Sequence, residues 1–379
     1  MSEPDYRTPG QLLKDLLDQK GWSQAILAAV LDVDKTVINK MITGKRSVDA
    51  TMALVLSEVF GEEPERFMEL QLSFDLAQAK ITMRPDPMRA TRAQLLSDFP
   101  VQDMIQRGWL DARDMKSLPA IESSLAKFFE SETAAGIESL PHAAKKTNVA
   151  EDVSPVQLAW IYRVRKIARE MIVAPYSKKK GQAALGQLSS LLQSPEEARH
   201  VPRLLAESGI RFVIVEELKG SKIDGVCFWL DDKSPVIGMS LRFDRIDNFW
   251  FVLRHEIEHV LQEDGKVLIA LDSDLEGEAG GVGDGIPEFE RNANAAAAAF
   301  CVPQDALDRF IKRKSPLFAE RDLIGFSKTQ SLHPGLVAGQ LQRVTGRYEL
   351  FRKHLVPVKK HVAPSALVDG WGDVVPLNS

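Results

Sequence analysis

A chain of 379 residues is too long for one small core and implies two or three domains. With 44% hydrophobic residues, 27% charged residues and a formal net charge of −5, it has the composition of a soluble globular protein. That charge excludes a protein that coats nucleic acid through bulk electrostatics, while leaving room for a small DNA-reading module.

Cys227 and Cys301 lie far apart among apolar residues and follow no metal-binding spacing, so buried free thiols are expected rather than a disulfide. No apolar run approaches the ~20 residues of a membrane span, and the N-terminus lacks a signal-peptide pattern. A cytoplasmic location with no membrane partner is therefore expected.

Residues 8–80 read as a series of short helices. TPGQLLKDLLDQKG has helical apolar spacing and stops at Gly21. Ser23 caps SQAILAAVL, which ends near Asp32. Asp34 caps KTVINKMITG, closed by Gly44, and Asp49 caps DATMALVLSEVF. PERFMELQLSFDLAQAK supplies a fifth amphipathic helix.

The stretch SQAILAAVLDVDKTVINKMITGKRS has helix-turn-helix organisation. The small Ala28 and Ala29 allow two helices to cross closely, and Val37, Ile38 and Met41 point inward. Lys35, Thr36, Asn39 and Lys40 are left to face base edges and phosphates, with Lys45 and Arg46 placed to grip the backbone. The plainer alternative is a helical bundle with a solvated polar face. Asp32, Asp34 and Asp49 nearly balance Lys35, Lys40, Lys45 and Arg46, so affinity for operator DNA would depend on local placement and on a homodimer. Together with ITGKRSV and LQLSFDLAQAK, residues 8–80 resemble HigA-type antitoxins among the wider Xre-like regulators. That resemblance implies operator binding and, in many such proteins, neutralisation of a toxin partner.

Between 81 and 206 the helical period continues in FPVQDMIQRGWL, IESSLAKFFES, WIYRVRKIAREMI and ALGQLSSLLQS, with a weakly apolar connector over ETAAGIESLPHAAKKTNVAEDVS. At 209 the texture changes. GIRFVIVEEL, DGVCFWLDD and PVIGMSL predict a sheet of about three strands. A helix carrying NFWFVLRHEIEH follows, then the acidic, glycine-rich DSDLEGEAGGVGDGIP, a lid or a solvated loop. An alanine-rich helix, ERNANAAAAAFCVP, stops at Pro303.

Positions four apart share one face of a helix, so His255 and His259 can aim two imidazoles at one tetrahedral cation, Zn2+ by the chemistry of the pattern. Glu256 would reach a water on that cation, take its proton and pass it to a leaving amine. Glu258 points to another face, as a solvated or salt-bridged side chain. Glu288, Glu290 and His333 are candidates for a third ligand, and spacing alone does not choose among them. For His333 a structural role before proline is the plainer reading.

RHEIEH followed by EFERNANAAAAAFCVP resembles the ImmA/IrrE family of metallopeptidases, over roughly residues 200–310. Aligning Ala293-Asn294 and Pro303 with that family's pattern puts its ligand glutamate at Glu290. Ala296 and Phe300-Cys301-Val302 depart from the pattern at packing positions. The resemblance also implies that PVIGMSL lies by the site as an edge strand for a substrate peptide.

The expected architecture is α+β, mainly α-helical. It comprises a five-helix helix-turn-helix domain (1–80), a helical middle region (81–200), a zincin-like zinc metallopeptidase core (201–310) and a helical extension (311–379). The function it implies is a DNA-binding regulator that hydrolyses a protein substrate. The alternative is an antitoxin-like repressor whose metallopeptidase fold is a catalytically silent sensor.

Overall fold

The computed structural model describes residues 6–86, 89–132, 153–266, 270–273 and 287–377. The chain forms two compact units, Met1–Pro87 and Met88–Ser379.

The first unit consists of α1 (Pro9–Lys20), α2 (Gln24–Val30), α3 (Lys35–Ile42), α4 (Ala50–Phe60) and α5 (Pro64–Thr82). Short polar side chains start four of these helices. Thr8 accepts from the backbone N–H of Gln11, Ser23 from Ile26, Asp34 from Thr36 and Asp49 from Met52. Each such cap satisfies a backbone donor that the helix leaves open, a contribution of about 1 kcal/mol. The apolar stripes converge on one core of Leu12, Leu13, Leu16, Leu27, Ile38, Met41, Leu56 and Phe67, among others. Ala28 joins that core but Ala29 is exposed. Only one of the two expected crossing residues is therefore used, because consecutive helical side chains diverge by about 100°.

The second unit opens with α6 (Arg89–Asp98), α7 (Val101–Gln106), α8 (Leu118–Phe128), α9 (Pro155–Glu170), α10 (Lys178–Ser189) and α11 (Val201–Ser208). Strands β1 (Arg211–Val215), β2 (Ile223–Trp229) and β3 (Pro235–Met239) follow, then α12 (Ile246–Gln262), β4 (Ala270–Ser273) and α13 (Glu288–Cys301). The chain finishes with α14 (Gln304–Lys314), α15 (Glu320–Gln330), α16 (Pro334–Thr345), α17 (Lys359–Val362) and β5 (Leu367–Asp369).

The sheet has five strands in the order β4-β2-β3-β1-β5, where about three were expected. β2 runs antiparallel to β3 and β4, whereas β1 runs parallel to β3 and β5. The two additional strands are the short ones at the edges. Tertiary anchoring holds β5 in place: Asp369 is buried and accepts from Trp109 Nε1 at 2.8 Å and from Arg163 Nε at 2.8 Å. The reading of PVIGMSL as an edge strand is corrected as well. β3 lies between β1 and β2 with all five residues buried, so its backbone is already paired on both sides.

Side chains of the central strands alternate between two cores, as a two-residue period requires. Phe212, Ile214, Cys227, Ile237 and Met239 face a core shared with Phe249, Trp250, Leu253 and Ile257 of α12. Val213, Val215, Val226, Phe228 and Val236 face a core shared with Leu158, Trp160, Val164 and Ile167 of α9. A sheet covered on both faces explains why its strands read as near-continuous apolar runs. The second core also takes in Trp109, Leu125 and Phe129, whereas Leu188, Leu191 and Leu192 join the first, so the segment expected as a middle region contributes to both faces of the sheet. Most of the expected connector, and the acidic glycine-rich segment beyond Ser273, lie outside the described residues.

Candidate metal centre and nucleic-acid interface

α12 is buried along nearly its whole length; Glu258 and Gln262 alone among its residues reach the surface. His255 and His259, one turn apart, are 0% exposed, and their Nε2 atoms are 2.9 Å apart. Glu290, in the first turn of α13, brings Oε2 to 3.3 Å from His255 Nε2 and Oε1 to 3.7 Å from His259 Nε2. The approach depends on small side chains. Ala293, Ala297 and Cys301, spaced four apart, are the buried residues of α13. With methyl groups at two of these positions the helix lies close to α12. Phe289 adds a ring contact to His259, with centroids 6.0 Å apart.

Among the described residues, His255, His259 and Glu290 are the group whose donor atoms come together, all within 4.8 Å of one another. Two imidazole nitrogens and a carboxylate oxygen suit zinc, and bonds of ~2.0–2.2 Å in a tetrahedral site separate ligand atoms by about 3.3 Å. The separations of 2.9, 3.3 and 3.7 Å bracket that value, so these residues fit the ion and could hold it.

The remaining candidates lie elsewhere. Glu288 is exposed and outside the group. His333 caps α16, its Nδ1 accepting from the backbone N–H of Gly335 at 3.0 Å. Burial pushes the His333 imidazole below its usual range, as does the nearby His354. Glu258 accepts from Arg254 at 2.6 Å and Gln262 at 2.7 Å. Burial opposes its ionisation, but these donors outweigh it and hold the carboxyl below the ordinary carboxylate range.

Glu256 is 0% exposed and packs against β2. A Cβ on Gly225 would come within 2.0 Å of Glu256 Oε1, so the missing side chain of this strand residue is what makes room for the carboxylate. Sequence reasoning passed over Gly225, although a glycine inside a strand marks a close approach of another group. It also passed over Asp264, whose Oδ2 lies 3.1 Å from His259 Nδ1. Cys227 and Cys301 are buried free thiols as expected, and burial pushes the Cys301 thiol well up.

In the first unit, α3 presents Lys35, Thr36, Asn39 and Lys40 to solvent while Ile38 and Met41 are 0% and 1% exposed. Val37 is half-buried against the same core. Lys45 and Arg46 are also exposed, and their backbone N–H groups donate to the Lys40 carbonyl at 2.8 and 3.1 Å. This turn keeps both cations beside the C-terminal end of α3. Asp34 is engaged as the cap of that helix, and hydrogen bonds from the side chain and backbone of Thr36 hold its carboxyl below the usual range.

A family model described as helix-turn-helix matches residues 13–67. Virulence-associated protein A′ of Dichelobacter nodosus is 39% identical over 79 residues, covering 21% of this chain and 67% of that protein. The HTH-type transcriptional regulator YddM of Escherichia coli is 27% identical over 89 residues, covering 24% of this chain and 95% of that protein. Among the described residues, no helix is long and apolar enough to cross a membrane.

Proposed function

Because the chain belongs to the helix-turn-helix family through residues 13–67, we propose that it is a DNA-binding transcriptional regulator whose second unit is a zinc-dependent peptidase. The first half of this reading is supported by α3, whose polar residues Lys35, Thr36, Asn39 and Lys40 stand on the side opposite its core contacts. A helix of this kind can enter the major groove, with Lys45 and Arg46 on the phosphates. One such module offers few base contacts, so the reading includes a homodimer on a two-part operator.

The observation that carries the second half is the convergence of His255, His259 and Glu290 from two successive helices. These three would hold the ion. Zinc, when bound, acts as a Lewis acid toward a carbonyl and lowers the pKa of water. Glu256 would take the proton from the attacking water and deliver it to the departing amine of a protein substrate. Gly225 keeps its carboxylate in place against β2. The direct test compares cellular protein fragments in wild type and Glu256→Gln. Fragments that depend on Glu256 are expected, and identical fragment patterns would remove the peptidase reading.

A second reading is favoured by one observation: His255, Glu256 and His259 are each 0% exposed, and of the four site residues only the Glu290 side chain, at 19%, reaches solvent. On that reading the chain is a repressor or antitoxin that binds operator DNA and a toxin partner, and its metallopeptidase-like unit senses rather than turns over. Zinc bound at one equivalent, with no Glu256-dependent cleavage of any cellular protein, is the result that selects it.

A further inference from the structure

We propose that Asp264 is the positioning residue of the metal centre: it fixes the tautomer and ring plane of His259 so that Nε2 is the nitrogen presented beside His255 and Glu290. The inference rests on the zinc reading above and adds to it a residue outside the HExxH pattern.

Asp264 follows the C-terminal end of α12. Glu263 takes the left-handed conformation, with φ 63°. Its N–H donates to Val260 O at 3.2 Å, and that of Asp264 donates to His259 O at 2.9 Å. This cap turns the chain back over the last turn of the helix and returns the Asp264 carboxylate to the imidazole one turn earlier, at 3.1 Å from Nδ1.

The returned segment is clamped onto β2. Trp229 Nε1 donates to the Asp264 carbonyl at 2.9 Å, and the Cys227 thiol lies 3.9 Å from the same oxygen. Gly265 has φ 78°, and a Cβ there would fall 2.7 Å from the Cys227 carbonyl oxygen, so the close seat on the strand needs glycine at this position. Lys266 pairs with Glu263 at 2.9 Å and lies over the Trp229 ring, 4.6 Å from its centroid. Asp264 is thereby held from its backbone outward.

Each nitrogen of a neutral imidazole has one role, donor or lone pair. An ionised carboxylate only accepts, so its partner Nδ1 carries the hydrogen. The lone pair is then on Nε2, which is the atom 2.9 Å from His255 Nε2 and 3.7 Å from Glu290 Oε1. A carboxylate behind a ligating histidine also makes that ligand more basic, and removing such a partner typically weakens metal binding 10–100-fold. A role in capping the helix alone would need only the backbone of Asp264.

The experiment uses the full-length chain and its Asp264→Ala, Asp264→Asn and Trp229→Phe variants. Zn2+ affinity is measured by competition with a chromophoric chelator, and the visible spectrum is recorded with Co2+ in place of zinc. Asp264→Ala is expected to lower Zn2+ affinity 10–100-fold and to change the cobalt spectrum. Asp264→Asn, which keeps an acceptor oxygen of the same reach, should recover part of the loss. Trp229→Phe, which frees the Asp264 carbonyl but keeps an aromatic ring on β2, should lower affinity by a few fold. Should Asp264→Ala fail to fold, Asp264→Asn and Trp229→Phe carry the test. If the wild type binds one zinc and the variants that fold bind it equally with an unaltered cobalt spectrum, Asp264 does not position His259 and the zinc reading stands. If neither the wild type nor any variant binds zinc, the reading and the inference fall together.

Discussion

The two units assemble their candidate sites in opposite ways. In the first, every residue proposed to meet DNA lies within twelve positions, from Lys35 to Arg46, and all of them are exposed. In the second, the donors come from α12 and α13, and both histidines are wholly buried. A local, solvent-facing site tolerates substitution because each side chain acts nearly alone. A buried site made of two helices is coupled to their packing, so changes nearby reach it as well as changes to its own residues.

The largest effect belongs to Glu256. Glu256→Gln keeps shape but removes the carboxylate proposed as the base, and general-base catalysis contributes typically ~10²–10⁴-fold. Cleavage of an identified substrate should fall by about that factor while zinc content and melting temperature stay near those of wild type. A variant as active as wild type would leave Glu256 without a role in proton transfer. Gly225→Ala should damage the same step from outside the motif, because the added methyl and the carboxylate cannot occupy one place. Its signature is a loss of turnover at retained zinc stoichiometry.

Packing gives the next effect. Ala297 is 0% exposed and lies on the buried face of α13. Ala297→Leu adds volume to a filled interface, which costs about 1–3 kcal/mol and pushes α13 away from α12. Thermal unfolding should occur at lower temperature and Zn2+ affinity should drop, although residue 297 carries no ligand. Unchanged zinc affinity in a destabilised Ala297→Leu protein would show that Glu290 reaches the histidines without close helix packing.

The same contrast explains what could be read from the chain. Caps at Ser23, Asp34 and Asp49, and the split of α3 into polar and apolar sides, are local regularities, and the structure has them as expected. The histidine pair was legible because four-residue spacing is itself a geometric statement. Glu290 and Glu288 could not be separated by spacing, and family resemblance chose the one that the structure brings to the imidazoles. Strands β4 and β5 could not be read, being four and three residues long and defined by pairing partners distant in sequence. The edge position that family resemblance implies for β3 fails for the same reason: strand order is fixed by long-range pairing, and nothing within PVIGMSL encodes it. Gly225 makes room for Glu256, which comes from another element, and Asp264 meets His259 only through the left-handed turn at Glu263, which no motif marks.

On the first unit, single changes at the groove face should act independently. Lys35→Ala and Asn39→Ala are each expected to cost about 1–3 kcal/mol of discrimination at one operator position and to leave zinc binding alone. Equal affinity and sequence preference for both variants would remove α3 as the recognition helix. Measuring the double variant sharpens the point, since near-additive losses are expected for contacts that share no partner.

The smallest effect falls to the basic turn. Lys45 follows α3 with its backbone N–H tied to the Lys40 carbonyl at 2.8 Å, which sets where the side chain starts but leaves its ammonium in solvent. A cation in that position would neutralise a phosphate and release a counterion without reading a base. Lys45→Ala should therefore weaken binding to operator and to unrelated duplex by the same factor. It should also reduce the slope of log K against log salt by about 1. Both quantities come from titrations at several salt concentrations. A change in sequence preference instead of a uniform loss would move Lys45 from the phosphates to the bases, and the polar face of α3 would then extend further than its helix.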